Sequence, residues 1–289
     1  MLIFKNRYNQ LRSGWKIAIS FLILFLTIFI LSIIIGVFGG IFSISRDNPI
    51  YSLLNMGVST ISFVLVSLIS WKLVQKEPFR NMGLTSIKRD GFDLLFGLFL
   101  GAMSITIVFF ILIATNNATL VTSFLKPNFS YEILLGIVIF ILVGFGEEMF
   151  FRGYLMSVLK QTNNSFVIVL VSSLIFSLMH ASNLNANPLG LFNIFLVGIV
   201  FAYMFIKSSS IWMPIGYHIT WNYFQGYVYG FQVSGNPTNG LYETTVAQNN
   251  IINGGAFGPE GGAAVTFILI INLAILYLYY RRKKTIKYV

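Results

Sequence analysis

Along this chain, uncharged apolar runs of membrane-spanning length alternate with short polar segments, many of them basic. Ile17 to Ile44 contains no Lys, Arg, His, Asp or Glu, and neither does Gly261 to Tyr280. Each run reaches or exceeds the ~20 residues with which a helix crosses ~30 Å of hydrocarbon. The same pattern predicts about eight spans, near 17–41, 51–71, 94–115, 132–158, 165–182, 189–206, 210–230 and 261–280. The first run is too long for a signal-peptide core and lacks a convincing cleavage site, so it reads as a retained span. The expected fold is all-α: a polytopic transmembrane helical bundle, forming a single membrane domain over 1–289. No internal repeat, extended low-complexity segment or separate soluble domain interrupts it.

The positive residues give this bundle a direction. Lys5, Arg7, Arg12 and Lys16 precede the first span, and Lys72, Lys76, Arg80, Lys88 and Arg89 follow the second. Arg152 and Lys160 lie around the turn between spans four and five, Lys207 follows span six, and Arg281, Arg282, Lys283, Lys284 and Lys287 close the chain. With eight spans, 17 of the 19 positive residues fall on one side, leaving only Arg46 and Lys126 on the other. The positive-inside rule then puts both termini in the cytoplasm. The segment from about Phe231 to Glu260 has no Lys or Arg and is rich in Gly, Asn and Thr, which predicts an external, irregular, mobile loop.

Composition agrees with the pattern. Apolar residues make up 56% of 289 positions and charged residues 10%, where a soluble domain carries roughly a quarter charged. In this setting the net charge of +10 reads as anionic-lipid contact by cytoplasmic loops, with membrane lipids as partners and no nucleic acid. The absence of cysteine excludes disulfides, thiolate metal sites and a cysteine nucleophile. Richness in Ile, Phe, Lys and Asn hints at an AT-rich bacterial genome and hence a bacterial plasma membrane.

Ionisable groups within spans are expensive, and each is a candidate for function. Asp93 and Glu132 sit at span ends and can reach the interface. The deep set is Glu147, Glu148, Arg152, His180 and His218, and these are the only two histidines in the chain. Glu148 and Arg152 are four apart on one helix face, acid first, and can neutralise each other. Glu147 is turned ~100° away and keeps a carboxylate with no partner on its own helix. Counting from the turn at Gln161 to Asn164 puts Glu147 and His180 both ~20 Å up antiparallel neighbours. By the same rise His218 and Asn222, four apart on span seven, enter ~12 to ~21 Å from Lys207–Ser210. Four polar groups from three spans can therefore meet in one layer. Such a set supports water attack on an amide: a carboxylate takes the proton while a neutral imidazole holds the water. A second imidazole and a carboxamide can donate to the tetrahedral oxyanion. A buried network that only fixes helix packing is the alternative, and it suits Glu148 and Arg152 best.

These residues also carry a resemblance. Glu147-Glu148-x-x-x-Arg152, then Phe176-x-x-x-His180, then His218-x-x-x-Asn222 are similar to the three motifs of the CPBP intramembrane proteases. That family includes the CAAX prenyl endopeptidases and the bacteriocin-processing or Abi-type membrane proteins. The motif region runs from about 131 to 223. The resemblance implies an endopeptidase inside a helical bundle, with Glu147 and His180 activating water and His218 and Asn222 stabilising the oxyanion. Glu148, Arg152 and Phe176 would support them, Phe176 by packing beside His180. The implied substrate is a membrane-associated peptide or protein precursor.

Metal dependence is a separate question. Glu147, His180 and His218 could form a His₂Glu zinc site with water as fourth ligand. No His-Glu-x-x-His spacing is present, and the sequence offers no visible carboxylate to orient either imidazole, so a metal-free glutamate mechanism is favoured. Two other functions compete: a non-catalytic membrane partner, such as a bacteriocin immunity protein or scaffold, and a small proton-coupled transporter. The lack of a repeat and of paired broken helices argues against the transporter.

Overall fold

A backbone in hydrocarbon must satisfy its own hydrogen bonds, and apolar runs of this length do so as helices. The computed structural model describes residues 3–6, 8–45, 49–121, 123–246 and 250–282. Arg7, Arg46, Lys283, Lys284 and Lys287 of the charge pattern lie outside the described residues. Eight helical rods occur where spans are expected: α1 (Ser13–Ile41), α2 (Pro49–Ser70), α3 (Ile87–Ala114), α4 (Tyr131–Glu148), α5 (Ser165–Met179), α6 (Pro188–Ser208), α7 (Trp212–Tyr223) and α8 (Ala263–Arg282). Among the described residues, six rods are long and apolar enough to cross a membrane, whereas α5 is a shorter apolar helix and α7 is shorter still. Three rods run on through wide π-helical turns, at Trp71–Gln75, Met149–Leu155 and Phe224–Val228.

The helices are apolar outside as well as inside. On α1, Leu22, Phe25, Leu26, Phe29, Ile30, Ile33 and Ile34 are all exposed, as a lipid-facing surface requires. Side-chain caps open α5 and α6. The Asn164 carboxamide accepts from Phe166 N at 3.0 Å, and that of Asn187, followed by Pro188, accepts from Gly190 N at 2.8 Å.

Rod α7 lies against α3 with backbones touching. A Cβ on Gly97 would run into the Met213 carbonyl and one on Gly101 into the Tyr217 carbonyl, while a Cβ on Gly216 would approach Leu94 O to 2.5 Å. Small residues four apart allow this approach where water cannot drive helices together. Thr220 Oγ1 donates to Leu98 O at 2.8 Å, and Asn272 of α8 joins the seam by donating to Tyr217 OH at 2.7 Å. Gly101→Leu should therefore destabilise the protein by about 3 kcal/mol through overpacking. Thermal unfolding in detergent would show it, with Gly57→Ala, which meets open space, as the tolerated control.

Asp93, near the start of α3, is buried within the protein and accepts from Tyr279 OH at 2.7 Å. One expectation changes here. In its described residues the segment after α7 is irregular, as its composition implied, but it is packed rather than loose. Phe231, Val233, Asn253 and Phe257 are buried, and Gln225 Nε2 donates to Gln232 O at 2.7 Å. Its Gly and Asn residues serve tight turns, such as Gly254 at φ 76° and Gly258 at φ 96°. A short antiparallel pairing, Thr119–Leu120 with Thr244–Thr245, ties the segment to the end of α3.

Candidate active site

Glu147 is the penultimate residue of α4, and His180 follows the last residue of α5. His218 and Asn222 lie one turn apart on α7. These four side chains and Phe176 line a single cavity of about 680 Å³. The three sequence motifs thus meet at one place.

Beneath the cavity wall lies a fully buried ionic layer. Arg152 and Glu148 have no exposed surface. They pair through Nη1 to Oε1 at 3.2 Å and Nε to Oε2 at 3.2 Å. Arg152 Nη2 also donates to Gly198 O at 3.3 Å. Its guanidinium sits 4.4 Å from the Phe176 ring centre and 5.0 Å from that of Phe201, within cation–π range of both rings. The π-helical stretch Met149–Leu155 contains Arg152. Such irregularities in a helix are frequent at functional sites.

Glu148 does more than pair with Arg152. Its Oε1 lies 3.0 Å from His218 Nδ1. This corrects the expectation that no carboxylate orients either imidazole: Glu148 orients His218, and neighbour spacing along one helix could not show it. An ionised carboxylate only accepts, so Nδ1 of His218 carries the hydrogen. His180 is held differently. It ends α5 with φ −93° and ψ −1°, and Nδ1 donates to Phe176 O at 2.9 Å, satisfying a helix-end carbonyl. That bond leaves Nε2 of a neutral His180 as an acceptor at the cavity. Phe176 touches the His180 ring edge-on at 4.8 Å, and Phe201 stacks on His218 at 5.4 Å.

Glu147 contrasts with its neighbour. It is half-buried at the cavity wall, and Oε2 is enclosed without a hydrogen-bond partner. One acid is thus consumed by structure and the adjacent one is left available. Among the described residues, no three His, Cys, Asp or Glu side chains are grouped to hold a metal ion.

The sequence reading missed several cavity residues. Asn55 and Ser59 of α2, four apart, form a polar stripe that helical spacing could have revealed. Asn183, Ser234 and Glu260 also line the cavity, and only the chain's path brings them there.

Comparison with known proteins agrees with the motif geometry. Residues 128–224 match the family described as type II CAAX prenyl endopeptidase Rce1-like. The match covers about a third of the chain and is a similarity of that region to the CAAX prenyl endopeptidases, in line with the three motifs. The matched segment contains every residue of the ionic layer and all four polar residues set around the cavity by the motifs. A protein of Bacillus subtilis (strain 168), "Putative membrane peptidase YdiL", is 32% identical over 111 residues, which is 38% of this chain and 41% of that protein. The chain therefore matches about two fifths of that relative's length. Helices α1, α2, α3 and α8 lie outside the matched family region, although α2 contributes to the cavity wall.

Proposed function

We propose that this protein is an intramembrane endopeptidase that cleaves a membrane-associated peptide or protein precursor by attack of an activated water. The observation that carries the reading is Glu147: a carboxylate with one unpartnered oxygen, on the wall of the same cavity as two oriented imidazoles. In the proposed step, Glu147 takes a proton from water while His180 Nε2 accepts the second water hydrogen and fixes the oxygen. The water oxygen bonds to the amide carbon, and the carbonyl electron pair moves to oxygen. Asn222 Nδ2 and His218 donate to that oxyanion; the carbonyl then re-forms as the C–N bond breaks, and Glu147 passes its proton to the leaving nitrogen.

The tautomer adds a condition. With Nδ1–H directed to Glu148, His218 Nε2 has a hydrogen to donate only when the ring is an imidazolium. Cleavage is therefore expected to fall as pH rises through the titration of His218. Glu148 and Arg152 act as positioning residues in this scheme, because neither lines the cavity. The proposed setting is a bacterial plasma membrane, with eight crossings and cytoplasmic termini, as the charge pattern indicates.

The test begins with comparative peptidomics of wild type and a Glu147→Ala strain, followed by cleavage with purified protein. A precursor should accumulate in the mutant and be cut by wild type at the same rate with or without a chelator. Rate loss restored by Zn²⁺ would replace the metal-free scheme with a His₂Glu zinc site at Glu147, His180 and His218. A non-catalytic partner would show no precursor and a phenotype indifferent to Glu147→Ala.

A further inference from the structure

Two acids line the cavity, Glu147 and Glu260, and among the described residues no Lys or Arg is on its wall. Glu260 arrives on the short turn Pro259–Gly261, just before α8 and far in sequence from the motif region. Its placement is firmly built. Oε2 accepts from Ser234 N at 2.6 Å and from Ser234 Oγ at 2.7 Å, and its main-chain carbonyl accepts from Asn193 Nδ2 at 2.8 Å. These bonds hold the carboxylate in one orientation at the wall.

They do not exhaust it. A carboxylate offers about four acceptor sites on two oxygens, and both of these bonds use Oε2. Among the described residues Glu260 forms no ion pair, and Oε1 accepts no hydrogen bond. A pinned, partly enclosed carboxylate, facing a cavity with a second carboxylate and no Lys or Arg, sets a local negative potential there, and the one cation of the proposed scheme, the His218 imidazolium, is already paired with Glu148. Such a wall attracts a cationic group and opposes an acidic one.

We infer that Glu260 is a specificity-determining residue that receives a Lys or Arg side chain of the peptide bound across the cavity. The inference rests on the peptidase reading for the word substrate, but its test reads binding rather than turnover. The probes are N-acetylated fluorescent peptides with an otherwise uncharged apolar segment, carrying Lys, Gln or Glu stepped along successive positions. Acetylation removes the α-amine as a competing cation. The protein is held whole in phosphatidylcholine nanodiscs, whose lipid has no net charge.

In at least one register the Lys peptide should bind about tenfold tighter than its Gln counterpart, the scale of one charge-assisted hydrogen bond, and the Glu peptide weaker still. Glu260→Gln, which keeps an acceptor for Ser234, should abolish the difference. Glu260→Lys should reverse it toward the Glu peptide, a result that damaged folding cannot produce. No Lys preference in any register, or a preference unchanged in Glu260→Gln, would overturn the inference. Failure of wild type to cleave any bound peptide counts against the peptidase reading instead, and leaves the binding comparison to judge Glu260.

Discussion

Glu147→Gln is expected to lower peptide cleavage by about 10²- to 10⁴-fold, the range for losing a positioned general base. It should leave thermal unfolding nearly unchanged. Glutamine matches the volume of glutamate but cannot take the proton from water. The structural loss is small, because Glu147 Oε2 has no hydrogen-bond partner to forfeit. Bound peptide should remain bound, so the effect falls on kcat rather than on affinity. The measurement is single-turnover cleavage alongside fluorescence-monitored unfolding of the same preparation. A variant that stays folded and cleaves at the wild-type rate would mean that another group activates the water.

Arg152→Met should have the opposite profile, with a loss of about 3–5 kcal/mol in stability, because it strands a buried carboxylate. Glu148 has no solvent access, and without the guanidinium only His218 remains to neutralise it. The cation–π contacts with Phe176 and Phe201 would be lost as well. Thermal unfolding in detergent reads this directly. The double variant Glu148→Leu, Arg152→Met should recover much of the stability, since an apolar replacement of a buried pair is often neutral. It should not recover cleavage, because His218 then loses the acceptor at Nδ1. Recovery of both would reduce the ionic layer to helix packing alone. The two substitutions would thus separate adjacent acids that local sequence barely distinguishes: Glu147, proposed for chemistry, and Glu148, proposed for architecture.

Much of this molecule was legible from residue order. Uncharged runs long enough to span the hydrocarbon leave helix as the only economical backbone, which accounts for six of the rods, while the shorter α5 and α7 also fall close to their expected positions. The motif residues were legible for a related reason. In an apolar span each ionisable side chain stands out against its background, and the i,i+4 spacings of Glu148 with Arg152 and of His218 with Asn222 are local helix geometry.

Contacts between distant segments decided the rest. The Glu148–His218 bond joins residues 70 apart in the chain, and it set the tautomer on which the proposed oxyanion role depends. Gly97, Gly101 and Gly216 look like ordinary small residues until two backbones meet across them. The loop after α7 read as loose because its composition is that of turns, yet its path packs Phe231 and Phe257 inside and brings Glu260 to the cavity. Composition and period act over a few residues and determine which segments become helices. The direction in which a buried polar group points depends on partners brought in by other helices, and only the assembled bundle supplies them.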